Sequence, residues 1–407
     1  MANNNSFLKI LFLTTHNLAA NPRLVKEIKL ALQHNYEVEV ICYTFRNWSY
    51  EINDKMLQEF QSQRVKFHCI EAGRKNIFDW FIAVSKEKLA RLFSQISSLK
   101  NAALANAVSR RNVGLLAAVN KINSADWVIG HNPGALWATL TAGERLKCKM
   151  GFDVEDYHPG EGNDVQLQGL TKKLMEQVLP KMDYVSFAAP MIREAVKEDL
   201  GSEGKNWVTI LNYFPSTEFI TPSSIEGPLQ LVWFSQNISW GRGLELAIPS
   251  IKNNKENVEL HLFGNIDARF YDTILKGIEN IKVHSPLPQK ELHQQLSRFD
   301  IGLALELADD RNRGLCITNK ILAYLQAGLF VLASNTLAQQ NFLIQFQDVG
   351  IINDILKERN ASVVIDQLVA KKEQIRNQKE FRFLQFKNNC WEVESKKILK
   401  TWRQSKI

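Results

Sequence analysis

Cysteine is scarce in this 407-residue chain: Cys42, Cys69, Cys148, Cys316 and Cys390 are odd in number, scattered, and include no C-x-x-C pair. Neither a disulfide framework nor a zinc site is indicated, and a reducing cytosol suits such a set. Long apolar runs are missing as well. The early run Ile10 to Leu13 is too short for a signal-peptide core or a membrane span, and no later run approaches bilayer length, so secretion by that route is not expected. Internal repeats and low-complexity tracts are also absent. What remains is 45% apolar and 23% charged, the composition of a soluble globular protein.

The length exceeds one ordinary core, and two domains fit it best. Lys9 to Thr14 reads as a first strand, followed by the polar loop HNLAANPR and a helix that Pro22 starts as its first residue. Further strands are expected at Glu37 to Tyr43, Val65 to Cys69, Trp127 to Ile129, Met150 to Phe152, Tyr184 to Phe187 and Val208 to Ile210. From Tyr213 to Pro228, Pro215, Pro222, Gly227 and Pro228 stand among serines and threonines and mark a hinge or linker. A second set follows at Gln230 to Phe234, Glu259 to Phe263, Ile281 to His284, Ile301 to Leu305 and Phe330 to Ala333. Strands alternating with helical stretches give an α/β protein of two doubly wound halves with a cleft between them, a common place for ligands. The expected bounds are 1–212, a linker at 213–228, 229–378, and a terminal helical segment at 379–407. Neither first strand is followed by G-x-G-x-x-G, and G-x-x-x-x-G-K-[ST] occurs nowhere, which disfavours nicotinamide binding and P-loop hydrolysis.

The segment DIGLALELADDRNRGLCITNKILAYLQAGLFVLAS, Asp300 to Ser334, reads as strand, polar loop, helix and strand, with the helix opening near Thr318 and stopping at Gly328. In open α/β sheets ligands lie beyond the carboxyl ends of the strands. Lys320 and the free amides of Thr318 and Asn319 would stand there, at the positive end of a helix dipole, where a phosphate is favoured. The competing reading is that Thr318 merely caps the helix and Lys320 is solvated.

The net charge of +7 is unevenly spread. Between residues 74 and 121, Arg74, Lys75, Lys86, Lys88, Arg91, Lys100, Arg110, Arg111 and Lys121 face only Asp79 and Glu87, interleaved with Phe78, Trp80, Phe81, Ile82, Leu89, Leu92 and Phe93. Such a mixture suits either an anionic membrane surface or amphipathic core helices with a solvated basic face. Nucleic acid is not expected as a partner, because no helix-turn-helix, zinc or RNP pattern accompanies the charge.

With these pieces in order, the chain resembles a GT-B glycosyltransferase of the group 1 (family 4) type, in the bacterial polysaccharide subgroup. The opening LKILFLTTHNLAANPRLVKEIKLALQHNYEVEVI is similar to that family's first strand, loop and helix. LQLVWFSQNISWGRGLELAI resembles the start of its donor domain, and VELHLFGN, ending at Gly264 and Asn265, its glycine-terminated strand. TNKILAYLQAGLFVLAS resembles an N-K-hydrophobic-hydrophobic-E-Y-L-x-x-G segment, and NNCWEVESKKIL a tryptophan-bearing terminal helix that packs back on the first domain. The resemblance covers nearly the whole length.

It implies two Rossmann-like domains facing across a cleft, and transfer of a sugar from a nucleotide-sugar donor, with retention, to a glycan or lipid-linked acceptor in cell-surface polysaccharide assembly. It implies a cytoplasmic location, at most peripheral on the inner face of the plasma membrane. No cofactor and no metal are expected. Charge grows on the leaving diphosphate as the glycosidic bond breaks, so fixed cations beside it stabilise the transition state. The resemblance gives that task to Arg242 and to Lys320 of the N-K pair, with Asn319, Gly264, Asn237 and Glu306 on the donor side. His131, at the end of WVIG, matches an active-site histidine. Asp156 stands where a carboxylate follows the next strand, with Asp153, Glu155 and His158 as rivals for orienting or deprotonating the acceptor. Asn17 and Arg23 lie in the first loop, used near the donor phosphate or the acceptor; the competing reading for Arg23 is a helix-surface ion pair with Glu27.

Departures from the pattern point another way. Two glutamates eight residues apart are replaced by Leu315 and Ala323, Asn237 falls near the place of a phosphate-binding arginine, and the first loop lacks paired glycines. The alternative is therefore a catalytically degenerate GT-B scaffold that binds sugar, nucleotide or a partner enzyme. A sugar-nucleotide epimerase would want a denser set of carboxylates and histidines.

Overall fold

The first strand, KILFLT, is apolar on both faces because helices cover both sides of a parallel sheet, and it is buried from Ile10 onward. The computed structural model describes residues 8–47, 49–73, 77–96, 99, 101–223, 226–353 and 358–404; Arg74, Lys75 and Lys100 of the basic stretch lie outside them. The chain divides into two units, Met1–Ile210 with Lys397–Ile407, and Leu211–Lys396.

In the first unit β1 (Lys9–Thr14), β2 (Glu37–Thr44), β3 (Lys66–Glu71), β4 (Trp127–His131), β5 (Lys149–Val154), β6 (Tyr184–Phe187) and β7 (Trp207–Thr209) form one sheet. Its order is β3-β2-β1-β4-β5-β6-β7, and every pairing is parallel. The chain leaves β1 in one direction and returns to its other side as β4, so the topological switch point lies between these two strand ends. The helix Pro22–Gln33 after β1 starts as expected, with Pro22 in its first turn and the Asn21 side chain accepting from the Leu24 amide. The helix Trp391–Arg403 ends in this unit. There the indole of Trp402 is buried, donates to the Tyr184 hydroxyl at 3.2 Å, and its backbone carbonyl accepts from the Trp127 indole at 3.1 Å.

The second unit carries β8 (Leu229–Ile238), β9 (Val258–Ile266), β10 (Ile281–His284), β11 (Ile301–Ala304), β12 (Phe330–Ala333) and β13 (Gly350–Ile352). Their order is β10-β9-β8-β11-β12-β13, again parallel, with the switch point between β8 and β11. Its core is Leu231, Trp233, Leu260, Leu262, Leu303 and their neighbours. The β8–β9 register shifts between Phe234 and Asn237. Gly264 sits at that irregularity with φ +154, and a Cβ there would lie 2.4 Å from the Ser235 carbonyl oxygen, so only glycine fits.

Four features differ from expectation. The short edge strand β13 was not anticipated, and the loop after β11 contains a helix, Arg311–Leu315, capped by the Asp310 side chain. Residues 213–228 do not all behave as a linker: Phe214 is buried in the second unit, where the Gln326 side-chain amide accepts from its N–H and donates to its carbonyl. Nor does the whole of 379–407 join the first unit. Lys379–Gln385 belongs to the second, where Arg382 is buried and donates to the carbonyls of Gly328 and Ile375.

Candidate functional site

In each unit the polar side chains gather at the switch point, beyond the carboxyl ends of the two central strands. In the second unit these are the ends of β8 and β11. The helix Asn319–Gln326 opens there with Thr318 in the cap position, yet the Thr318 side chain makes no capping hydrogen bond. Lys320 is not solvated either. Its side chain is 15% exposed, reaches the Glu306 carboxylate at 3.1 Å, and lies 5.8 Å from the ring centre of buried Trp233. Glu306 is held in turn through its backbone, whose amide donates to the Ser334 hydroxyl while its carbonyl accepts from it. An ammonium paired at the mouth of a helix amino end can exchange its carboxylate partner for a phosphate.

Arg242 is exposed, in a bend between Gly241 and Gly243, both at positive φ, immediately before the helix Leu244–Asn253. It follows β8 as Lys320 follows β11, and those strands are sheet neighbours. Asn319 and Asn237 are exposed, Asn237 paired with Asn265 across the irregular end of β8. Gly264 has a structural reason for its identity, the close approach of Ser235. Leu315 and Ala323, which replace the glutamates, are both buried, so neither position presents a polar group.

In the first unit the strand ends of β1 and β4 are tied together by the Thr14 hydroxyl, which donates to the Asn132 side chain at 2.7 Å. Asn132 holds φ +70 with ψ 146, a conformation that favours glycine, between His131 and the helix Pro133–Leu146. His131 is fully buried. Its Nδ1 lies 3.1 Å from Glu155 and 3.7 Å from Asp153, and its Nε2 lies 3.4 Å from Glu27. Burial pushes the imidazole pKa down, but Glu27 and Glu155 outweigh it and raise the value to about 10, so the ring is an imidazolium at neutral pH. For Glu155 burial wins over the His131 bond and moves the carboxyl up.

Arg23 joins the same cluster. Its guanidinium lies 3.6 Å from Glu27 and 3.5 Å from Asp153 and donates to the Ile210 carbonyl at 3.0 Å. The ion pair with Glu27 thus exists, but in the interior rather than on a helix surface, with both residues at most 1% exposed. His131, Asp153 and Glu155 offer ligand atoms within 4.8 Å of one another, a spacing open to a cation; Arg23 already supplies positive charge beside it. Asn17 is also turned inward, its amide capping the short helix Leu18–Ala20 and donating to Ser49. None of Asn17, Arg23 and His131 offers more than 1% of its surface to solvent in this state.

More accessible groups stand just outside. Asp156 is half-buried and faces His16 and His158. Burial lowers the His16 pKa, and Arg111 and His158 lower it further. His158, by contrast, is raised: burial opposes its charge but the Glu161 carboxylate, 3.0 Å away, prevails. His16, Arg111 and Asn132 were missed by sequence reasoning. The signal available was the N-P-G run after a strand, which fits a strained turn.

No protein-family model matches the sequence, and no curated protein matches it either. Solved structures do. HepE from Anabaena, crystallised with UDP, superposes with a TM-score of 0.66 at 13% identity, covering 98% of this chain and 100% of that one. A glycosyltransferase from Rickettsia africae gives 0.64 at 14% identity over 98% and 99%. Sucrose-phosphate synthase from Thermosynechococcus elongatus gives 0.67 at 11% identity over 98% of each chain. At such identities the likeness speaks to architecture, and with the two parallel sheets it establishes that this chain has the GT-B fold, two Rossmann-like units.

Proposed function

We propose that the protein is a glycosyltransferase that moves a sugar from a nucleoside-diphosphate donor, with retention of configuration, to a glycan or lipid-linked acceptor in cell-surface polysaccharide synthesis. The observation that carries this reading is Lys320, set at a helix amino end beside the second unit's switch point and held by an exchangeable carboxylate. A donor diphosphate would take Lys320 from Glu306, releasing that carboxylate toward the ribose hydroxyls, where the usual glutamate is replaced by Ala323. Arg242 adds a second cation from the neighbouring strand end. Each charged hydrogen bond contributes on the order of 1.5–3 kcal/mol, enough to replace a metal at the leaving group. HepE was crystallised with UDP and with UDP-glucose, which supports a uridine nucleotide as first choice of donor. On the acceptor side Asp156 is the half-buried candidate carboxylate, and the His131 imidazolium, fully buried beside Glu155, is a fixed positive charge rather than a free base. The enzyme works in the cytoplasm, on the inner face of the plasma membrane.

Thermal stabilisation by UDP, GDP and their sugars tests the donor assignment, since a ligand at 100 times its dissociation constant stabilises by about 2.7 kcal/mol. Stabilisation by one nucleotide series, with sugar transfer unaffected by EDTA, is the expected result. Buried Leu315 and Ala323 favour the second reading, a degenerate scaffold. Nucleotide binding without turnover on any acceptor would select it.

A further inference from the structure

The helix Ile77–Phe93 turns a row of large apolar side chains outward. Its inward face is held by polar contacts: Arg91 donates to the Ala107 carbonyl at 3.0 Å and pairs with Glu87 at 3.3 Å, and Gln166 donates to the Arg91 carbonyl at 2.9 Å. Ala90 is buried beside them. The outward face is apolar. Phe78 is 79% exposed, Phe81 63%, Ile82 37%, Leu89 54% and Leu92 60%, and Ile96, just past the helix, 79%. At about 100° per residue these five helical positions and Phe93, 51% exposed, fall within an arc of about 120°, Ile77, 69% exposed, lies about 100° from Phe78 at the helix start, and the stripe from Phe78 to Ile96 runs about 27 Å. A surface helix of a globular protein points such a stripe at the core.

Lysines frame the stripe. Lys86 and Lys88 are exposed and lie about 80° to either side of the Phe78 direction. The helix's acidic residues are Asp79 and Glu87, and Glu87 is turned to Arg91 and, at 4.0 Å, Arg110. Arg91 and Arg111, counted in sequence among the surface cations, are in fact engaged internally, Arg111 donating to the Thr15 carbonyl and lying 4.5 Å over Phe45. On this helix the exposed positive charge is that of the two flanking lysines, whose long stems let ammonium groups rise to a headgroup layer while the stripe enters the acyl boundary.

We propose that this helix lies flat in the surface of an anionic bilayer, inserting Phe78, Phe81, Leu89 and Leu92 between lipids with Lys86 and Lys88 at the phosphates. Among the described residues no helix is long and apolar enough to cross a membrane. A second copy is the poorer occupant. Helices pairing through this stripe would bring lysine to lysine at its borders, and Glu87, the acidic side chain described on this helix, is turned to Arg91. The inference deepens the membrane part of the proposed function and uses none of the donor site.

The test is flotation of the full chain with vesicles of phosphatidylcholine alone or with phosphatidylglycerol added. The chain should float with the anionic vesicles, and Phe78→Ser with Phe81→Ser, or Lys86→Glu with Lys88→Glu, should each lower the partition coefficient about tenfold. These are exposed positions, and UDP-induced stabilisation measured in parallel should be the same in all three proteins. Absence of flotation by the wild type, or flotation of both variants at the wild-type level, overturns the proposal whatever the nucleotide result. A concentration-dependent dimer in sedimentation velocity that Phe78→Ser with Phe81→Ser abolishes would overturn it in favour of self-association.

Discussion

Lys320 carries the donor assignment, and its present partner makes the consequences specific. Removing the ammonium in Lys320→Ala deletes a charge-assisted hydrogen bond to the diphosphate, so nucleotide affinity should fall about 10- to 100-fold by calorimetry. Glu306, 3.1 Å away, competes with phosphate while also being the candidate ribose ligand. Glu306→Gln should therefore tighten pyrophosphate and weaken UDP relative to it; parallel changes for both ligands would dismiss the ribose role. His131 gives a pH signature in the other unit. Its pKa is raised to about 10 in the folded chain from an ordinary value near 6.5, so the stability it confers is complete below about pH 6.5 and is lost as pH rises through 10. His131→Gln leaves buried Glu27 and Asp153 without that cation and should destabilise the first unit by about 3–5 kcal/mol. In urea titrations the gap between wild type and variant should be widest near pH 6 and shrink toward pH 10; a gap independent of pH would mean that the ring is neutral.

The strands and their glycines account for where these side chains stand. The bounds of β1, β6, β10 and β12 were legible in sequence: β1 and β12 are mostly apolar runs between turn signals, as expected of buried parallel strands, whereas the edge strand β10, IKVH, shows as a short alternation. β13 was not: Gly350–Ile352 is three half-buried residues at a sheet edge, too short to show a period. The positions of His131, Glu306 and Lys320 were readable from the runs of β4 and β11 and from the helix Asn319–Gln326. Their partners were not. Arg23, His131 and Asp153 meet only because β1, β4 and β5 lie side by side, and a helix-surface pair between Arg23 and Glu27 is what local spacing alone suggests. Gly264 offers an element-level check. A methyl group there would lie 2.4 Å from the Ser235 carbonyl oxygen at an unfavourable φ, so Gly264→Ala should cost about 1–3 kcal/mol and disturb the β8 end that precedes Arg242. Unchanged stability and unchanged nucleotide affinity would show that this end tolerates displacement.

For the molecule as a whole, the chain's last turns complete its first unit. Trp402 is fully buried there, bonded to Tyr184 and Trp127 and 6.3 Å from Phe12. Trp402→Ala should destabilise that unit by about 3–5 kcal/mol in chemical denaturation while leaving the unfolding of the second unit in place. A single unchanged transition would contradict it. The division of labour between the units follows the same logic: acidic and imidazole groups at the first switch point, cations at the second. The assignment of sugar transfer rests on that second set. The most direct measurement is calorimetric titration of UDP and UDP-glucose into the wild type and into Lys320→Ala. Saturable one-to-one binding that weakens at least about tenfold in the variant is the expected outcome. Equal affinity in the two proteins, or no heat with any uridine or guanosine diphosphate, would contradict it.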